Sequence, residues 1–331
     1  MKPFSFFLAA ALPLAACATP GLERFEFREA HMGTEFRLVF YASGPDVAGS
    51  AARAAFDRVA ELDARLSDYR EDSELNRLGE ATRGGAIPCT VELSPDLARV
   101  LGRALELAER SDGAFDPTLG PYSRLWRRSA RQAELPSAER LAEARSAAGW
   151  LKVELLPDGR VARLMAADMR FDLGGIAKGD ALDQVLAVLR ARGIDRALID
   201  GGGDLLAGAA PPSRSGWRIG YQGMGSGRLE LSNAALATSG DVYQHVLING
   251  ARYSHIIDPQ TGLGLTRPTA ANVLAPDGIT ADAVASAICV LGPERGIAWV
   301  ERLPGVEARV VVAGADGELR EERSSGFPSE G

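Results

Sequence analysis

Residues 172–183, Asp-Leu-Gly-Gly-Ile-Ala-Lys-Gly-Asp-Ala-Leu-Asp, constrain this chain more than any other segment. An apolar stretch broken by polar residues, Val161 to Phe171, predicts a strand leading into them. Behind them Leu182, Val185, Leu186 and Leu189 recur at helical spacing, and Gly193 supplies a stop. A strand, paired glycines and a helix in succession let backbone N–H groups and a helix N-terminus approach an anion, and Lys178 adds a point charge. The residue order is wrong for a Walker A loop, which needs Gly-Lys-Ser/Thr, and for the Gly-x-Gly-x-x-Gly dinucleotide fingerprint. Two readings fit the segment by itself: a phosphate-facing turn, or a tight β–α turn with an exposed lysine.

The rest of the composition narrows the class. The chain has 331 residues, 46% hydrophobic and 24% charged, enough to bury a large core as one domain or two packed lobes. Its net charge is −7 with three histidines, and no basic run stands out, which argues against a nucleic-acid partner. At the N-terminus Lys2 precedes an apolar run, Phe4 to Ala16, too short to span a bilayer. The run ends in Leu14-Ala15-Ala16-Cys17, similar to the lipobox of bacterial lipoproteins; the alternative is a plain secretory signal with a chance cysteine. Residues 1–16 are therefore expected to be a lipoprotein signal peptide, with Cys17 lipidated and 17–24 a lipid-anchored tether. Acylation of Cys17 by more than one chain gives stable membrane attachment. Ala18 rather than aspartate follows, so the sequence does not choose between inner and outer membrane. Cys89 and Cys289 have no spacing that demands a disulfide, and two inert thiols are expected.

Alternating apolar residues predict strands at 25–30 and 34–41, and helices are expected at about 48–66, from the Ser94-Pro95-Asp96 cap to 110, and from Ser137. Strands are expected at 153–156, 161–165, 169–171, 196–199, 217–222, 228–232, 245–248, 252–257, 270–275 and 306–313. Helices are expected at 281–291 and 294–302, a loop at 207–216 and a frayed tail at 322–331. This mixture of helices and hairpin-spaced strands predicts an α+β fold with mixed, largely antiparallel sheets rather than a doubly wound parallel sheet. A single catalytic domain is expected over 25–321.

Several constellations carry chemistry. Asp282 and Ser286 stand four apart on a predicted helix and share a face. Their oxygens suit Mg²⁺, which binds few protein groups and keeps waters or phosphates, although Asp282 would equally favour a helix N-terminus without a metal. His255, in a strand running into the Asp258-Pro259 turn, is the natural general-base candidate; a solvated strand histidine is the alternative. Thr238-Ser239-Gly240-Asp241 reads as a hydroxyl-rich turn able to donate to phosphate. Tyr69, beyond the first long helix, would stack on an aromatic ligand or simply pack. Gly113-Ala114-Phe115-Asp116-Pro117-Thr118 reads as a turn presenting an aromatic ring and a carboxylate.

The order of these segments is more specific than any one of them. Met32-Gly33-Thr34, Ser67–Leu75, Gly113–Pro121, Asp172–Asp183, Ala197–Asp204, Ala237–Gly240, Tyr253–Gly262 and Ala281–Gly292 together resemble the ApbE family of FAD:protein FMN transferases over roughly residues 30–312. The resemblance implies a T-fold-like, two-lobed single catalytic unit. It implies an enzyme that takes FAD as substrate, cleaves its pyrophosphate with Mg²⁺, joins FMN to a threonine of an acceptor flavoprotein and releases AMP. Carried over by motif, Asp282, Ser286 and the carbonyl of Gly175 would hold the metal. Flavin contacts fall on Met32, Tyr69, Ala114, Phe115, Asp116, Asp172, Lys178, Ser239 and Ile257, with His255 and Lys178 catalytic. Family members often carry threonine where this chain has Ser286; the hydroxyl is kept. The lipobox agrees, since many members are periplasm-facing lipoproteins, and the family points to the inner membrane.

Two other readings use the same residues. An Mg²⁺-dependent FAD pyrophosphatase would deliver FMN to water instead of threonine. A non-catalytic flavin-binding lipoprotein would need neither Asp282 and Ser286 nor His255.

Overall fold

The structure is a computed structural model and describes residues 21–241, 245–314 and 317–328. The expected signal peptide, Cys17 and the first half of the 17–24 tether lie outside the described residues, and the last two tether positions already belong to the first strand. The chain runs through β1 (Glu23–His31), β2 (Thr34–Ala42), α1 (Pro45–Leu66), α2 (Glu74–Glu80), β3 (Cys89–Glu92) and α3 (Pro95–Arg110). It continues through α4 (Gly120–Gln132), α5 (Ala138–Ala147), β4 (Val153–Leu155), β5 (Val161–Leu164), α6 (Ala177–Arg190), β6 (Ala197–Gly201) and β7 (Asp204–Ala207). Then come β8 (Trp217–Gly223), β9 (Gly225–Leu231), β10 (Ala234–Gly240), β11 (His245–Ile248), β12 (Ala251–Ser254) and β13 (Thr269–Ala275). The last elements are α7 (Gly278–Leu291), α8 (Pro293–Val300), β14 (Glu307–Ala313) and β15 (Leu319–Arg323).

Eight strands form one sheet in the order β1-β2-β6-β7-β10-β13-β14-β15, and every pairing in it is antiparallel. The α+β expectation is met. Strand parity divides the sheet's two faces. Phe36, Leu38 and Phe40 of β2, Ala235 and Ala237 of β10, and Ala271 and Val273 of β13 join the main core with the buried faces of α1, α6 and α7. Val39, Leu205 and Leu236 face the other way, against Trp217, Ile219 and Tyr221 of the β8–β9 hairpin. The β1–β2 hairpin turns on Met32 and Gly33 at φ 48° and 72°, the paired positive values of a tight two-residue loop that matches strand twist.

Several expectations fail locally. Met169–Phe171 is not a strand: the N–H groups of Asp168, Met169 and Asp172 donate to Thr82 O, Thr82 Oγ1 and Pro117 O, so no ladder partner is taken. The strand before the glycines thus ends at Leu164, and a loop of irregular backbone reaches α6. Thr238-Ser239-Gly240 is not a turn but the end of β10, paired with Asn272, Ala271 and Ala270. The 252–257 strand stops at Ser254, whose N–H goes to Leu265 O. Helix α4 and strands β3, β7 and β10 had no counterpart in the sequence reading, being short or masked by small and basic residues. The 322–331 tail is docked as far as described: β15 runs to Arg323, Ser324 Oγ donates to Glu307, and Phe327 is buried against Tyr221 at 6.1 Å between ring centres. Cys89 and Cys289 do not bond each other, and burial pushes the Cys289 thiol up to about 12, an inert group.

Candidate active site at the crossing of two helices

Helices α6 and α7 cross at their N-termini, and glycine permits the approach. A Cβ on Gly179 would sit 2.1 Å from Gly278 O, and one on Gly278 would sit 2.5 Å from Gly179 O. Asp183, one turn further along α6, accepts from Gly278 N at 2.7 Å and Ile279 N at 2.9 Å, satisfying two donors of the α7 N-terminus. The same closeness brings the glycine loop to α7: a Cβ on Gly175 would meet Ser286 Oγ at 2.8 Å and the Phe115 ring at 3.4 Å.

Burial pushes the Asp183 carboxyl up to about 7 against the two N–H donors. The folded chain therefore holds this proton across a range in which the unfolded chain has lost it. The stabilisation is full below about pH 4 and fades as pH rises to about 7, with a slope of at most about 1.4 kcal/mol per pH unit. Urea unfolding at several pH values is expected to show that decline, and Asp183→Asn to flatten it; an unchanged slope refutes the assignment.

Asp282 stands at this junction, buried, with Oδ2 accepting from Gly179 N at 3.0 Å and Oδ1 3.5 Å from Lys178 Nζ. Burial raises its carboxyl, while the Lys178 ammonium pulls it back and the Asp204 charge adds to the rise. Lys178 also forms an ion pair with Asp204, and these two carboxylates hold its ammonium above the ordinary lysine range despite burial. Asp204 in turn accepts from Thr238 N at 3.1 Å, next to Ser239. Ser239 itself faces Ala271 in the ladder, and its carbonyl accepts from Cys289 Sγ at 3.7 Å. Gly202 sits against Thr34, where a Cβ would lie 2.3 Å from Oγ1, so the Met32 turn joins the same end of the sheet.

The anion-cradle reading of 172–183 changes here. Gly174 N donates to Asp172 Oδ1 at 2.9 Å and Gly179 N to Asp282, so these donors already serve carboxylates. Lys178 is not a bare charge but the centre of a carboxylate pair. The glycines act through close approach, at Gly175 toward Ser286 and at Gly179 toward α7.

Helix α4 organises the other wall. Its Ser123 donates to Asp172 Oδ2, and its Arg127 pairs with Asp68 and lies 3.9 Å from the centre of the exposed Tyr69 ring. Burial and the facing charge of Asp172 raise the Asp68 carboxyl, against the pull of Arg127. Tyr122 and Trp126 pack under the segment that carries His255. Ile257 belongs to their cluster, Trp126 Nε1 donates to Gly262 O at 2.9 Å, and Tyr253 lies 5.5 Å from Trp126 between ring centres. His255 is exposed, just past β12.

Asp116 is buried and spent on structure. Its carboxylate accepts from Thr118 N at 2.7 Å, Thr118 Oγ1 at 2.6 Å and Trp150 N at 3.1 Å, although burial raises its carboxyl. It shapes the turn that presents Ala114 and Phe115. Ser123, Arg127 and Asp204 are the participants that sequence reasoning missed. The one available signal was Tyr122, Trp126 and Ser129 at helical spacing behind Gly120-Pro121.

Among the described residues no three His, Cys, Asp or Glu side chains cluster as a metal cage. The Gly175 backbone packs against Ser286, one helical turn along α7 from Asp282, and a donor set of carboxylate, hydroxyl and carbonyl oxygens is of the kind that suits a hard cation completed by waters or phosphate oxygens.

An antiparallel sheet backed by two crossed helices, with carboxylates and a lysine at their crossing, defines the class to which comparisons also point. The ApbE family model matches residues 32–310, and the chain belongs to that family. A relative named FAD:protein FMN transferase from Treponema pallidum is 33% identical over 298 residues, covering 84% of this chain and 81% of its own. One of the same name from Vibrio cholerae is 31% identical over 338 residues, covering 99% and 98%. Two solved structures are similar in fold. The apo flavinyl transferase ApbE of Pseudomonas stutzeri has a TM-score of 0.81 at 29% identity, covering 92% of this chain and 95% of its own. The flavin transferase ApbE of Vibrio cholerae has a TM-score of 0.82 at 28% identity, covering 93% and 99%.

Proposed function

We propose that this chain transfers FMN from FAD to a threonine hydroxyl of a target protein, with Mg²⁺ and release of AMP, from a lipid anchor at Cys17 on the periplasmic side of the membrane. Movement of FMN from FAD to a protein is the family activity and the function of this chain. The metal, the threonine and the anchor are the finer parts of the reading. The observation that supports the site assignment is the packing of Gly175 against Ser286, one turn along α7 from Asp282, which itself stands beside the Lys178–Asp204 pair.

When bound, Mg²⁺ would neutralise the pyrophosphate charge and favour attack at phosphorus. Asp282, Ser286 and the Gly175 carbonyl would hold it. Lys178 offsets part of the burial that raises the Asp282 carboxyl and helps to orient it. Tyr69, Phe115, Met32 and Ile257 line the proposed flavin-binding wall, with Asp172 fixed by Ser123. His255 would take the threonine proton as the Oγ–phosphorus bond forms and the bond from phosphorus to the AMP phosphate breaks. Most of the acceleration in such a site comes from alignment and fixed charge.

Incubation of the purified protein with FAD, Mg²⁺ and a threonine-bearing acceptor segment tests the reading. A fluorescent flavin band that survives denaturation, with AMP released, is the expected result. Free FMN without labelling would make the chain a pyrophosphatase, and neither product would defeat both enzyme readings. His255→Ala is expected to slow transfer by about two orders of magnitude with FAD affinity preserved; equal losses in both would mark a structural histidine. No helix among the described residues is long and apolar enough to cross a membrane. Cys17→Ser is expected to move the protein out of the membrane fraction, and unchanged fractionation would remove the anchor from the reading.

A further inference from the structure

Helix α4 has a second face. Its sequence, Gly-Pro-Tyr-Ser-Arg-Leu-Trp-Arg-Arg-Ser-Ala-Arg-Gln, holds four arginines and no acidic residue, in a chain whose net charge is −7. Ser123 and Arg127 turn toward the site. Arg124, Arg128 and Arg131, at i, i+4 and i+7, form the adjoining stripe and are exposed. Among the described residues Arg128 bonds only the neutral Gln132, at 2.7 Å, and neither Arg124 nor Arg131 has an ion-pair partner. Arg58, Arg65 and Arg99 of α1 and α3, by contrast, converge on Asp96, and Arg99 also reaches Asp180.

The stripe extends beyond the helix. Arg170, two residues before Asp172, packs against the start of α4, where a Cβ on Gly120 would lie 2.7 Å from Arg170 carbon atoms. Burial depresses the Arg170 guanidinium, and the charges of Arg124 and Arg83 depress it further, so positive charges crowd here. Glu80 offsets part of this through Arg83 at 2.8 Å and Arg170 at 3.4 Å. The unpaired portion is the α4 stripe, on the rim of the wall that holds Asp172 and Tyr69.

We propose that Arg124, Arg128 and Arg131 form a docking ridge for an acidic segment of the protein that accepts FMN. The inference rests on the transferase reading. A protein acceptor must bring one hydroxyl to the site, and a ridge of unneutralised arginines beside it attracts and orients a complementary carboxylate-bearing segment. The small substrate does not need these side chains, because α4 addresses the flavin-binding wall through its other face.

The test compares threonine peptides with acidic, neutral or basic flanks as acceptors for the intact protein and for R124E/R128E/R131E. The expected result is a preference for acidic flanks that falls as salt rises. The variant should lose about tenfold or more in kcat/KM for the acidic peptide, shift its preference toward basic flanks, and keep wild-type FAD affinity and FAD cleavage. Equal labelling of all three peptides, or a preference that survives the charge reversal, overturns the ridge. So does loss of binding to anionic phospholipid vesicles in the variant with peptide preference intact, which would assign the ridge to lipid headgroups. If wild-type protein cleaves FAD but labels no peptide, the transferase reading itself fails, and the ridge fails with it.

Discussion

Asp282→Ala is expected to lower metal-dependent turnover by about three orders of magnitude, roughly 4 kcal/mol of transition-state stabilisation. Three losses coincide at this side chain. The proposed cation loses its only carboxylate from the protein, Gly179 N loses its acceptor at 3.0 Å, and Lys178 keeps Asp204 as its one acidic partner among the described residues. Asp282→Asn separates these effects, since it preserves shape and an acceptor oxygen while removing charge. If the charge matters for metal, both variants lose activity, and calorimetric titration shows weaker Mg²⁺ binding in each. Wild-type turnover at ordinary Mg²⁺ in Asp282→Ala would displace the site from this crossing. Both proteins should remain folded, as the lysine retains Asp204.

The second large effect concerns stability. Gly179→Ala adds a methyl group 2.1 Å from Gly278 O and 2.9 Å from Asp282 Cβ, and the first of these is backbone that a rotamer change cannot clear. The helices must separate, at a cost of about 3 kcal/mol, seen as a fall of roughly 5–10 °C in Tm. Separation also moves Asp282 and Ser286 away from Gly175, so activity should fall more than the loss of folded protein explains. Gly49→Ala is the control: it lies in α1 with nothing within 4 Å of the place its methyl group would take, and replacing a helical glycine is expected to be neutral or mildly stabilising. Calorimetric scans of both variants check the contrast, and an unchanged Tm for Gly179→Ala would mean that the helices yield freely.

Both predictions depend on residues that were visible in the sequence: Asp282 keeps the role proposed for it there, while Gly179, read as part of an anion-facing turn, acts through its close approach to α7. Asp282 and Ser286 were legible as a pair because helical spacing alone places them on one face. Lys178 and the glycines were legible as a special turn, yet their partners were not. Local pattern cannot tell a lysine that faces phosphate from one held between Asp204 and Asp282, since the two carboxylates lie 26 and 104 residues away. Asp116 had the same ambiguity. The local pattern placed a carboxylate in the turn but did not show that it braces Thr118 and Trp150.

By itself the sequence determined what depends on near neighbours. Strand alternation in β2, the Met32-Gly33 turn, the Ser94 cap and the apolar stripes of α1 and α6 follow from backbone geometry and burial over a few residues. The ordered run of motifs added the family. Only the tertiary structure decided that Gly179 exists for Gly278, and that Ser123 and Arg127 of α4 brace Asp172 and Asp68. It also decided that the arginines on the next stripe of α4 have no acidic partner among the described residues. Those facts arise where segments far apart in the chain exclude water together. Charge pairing and close approach are properties of that shared space, and no window of sequence contains both sides of it.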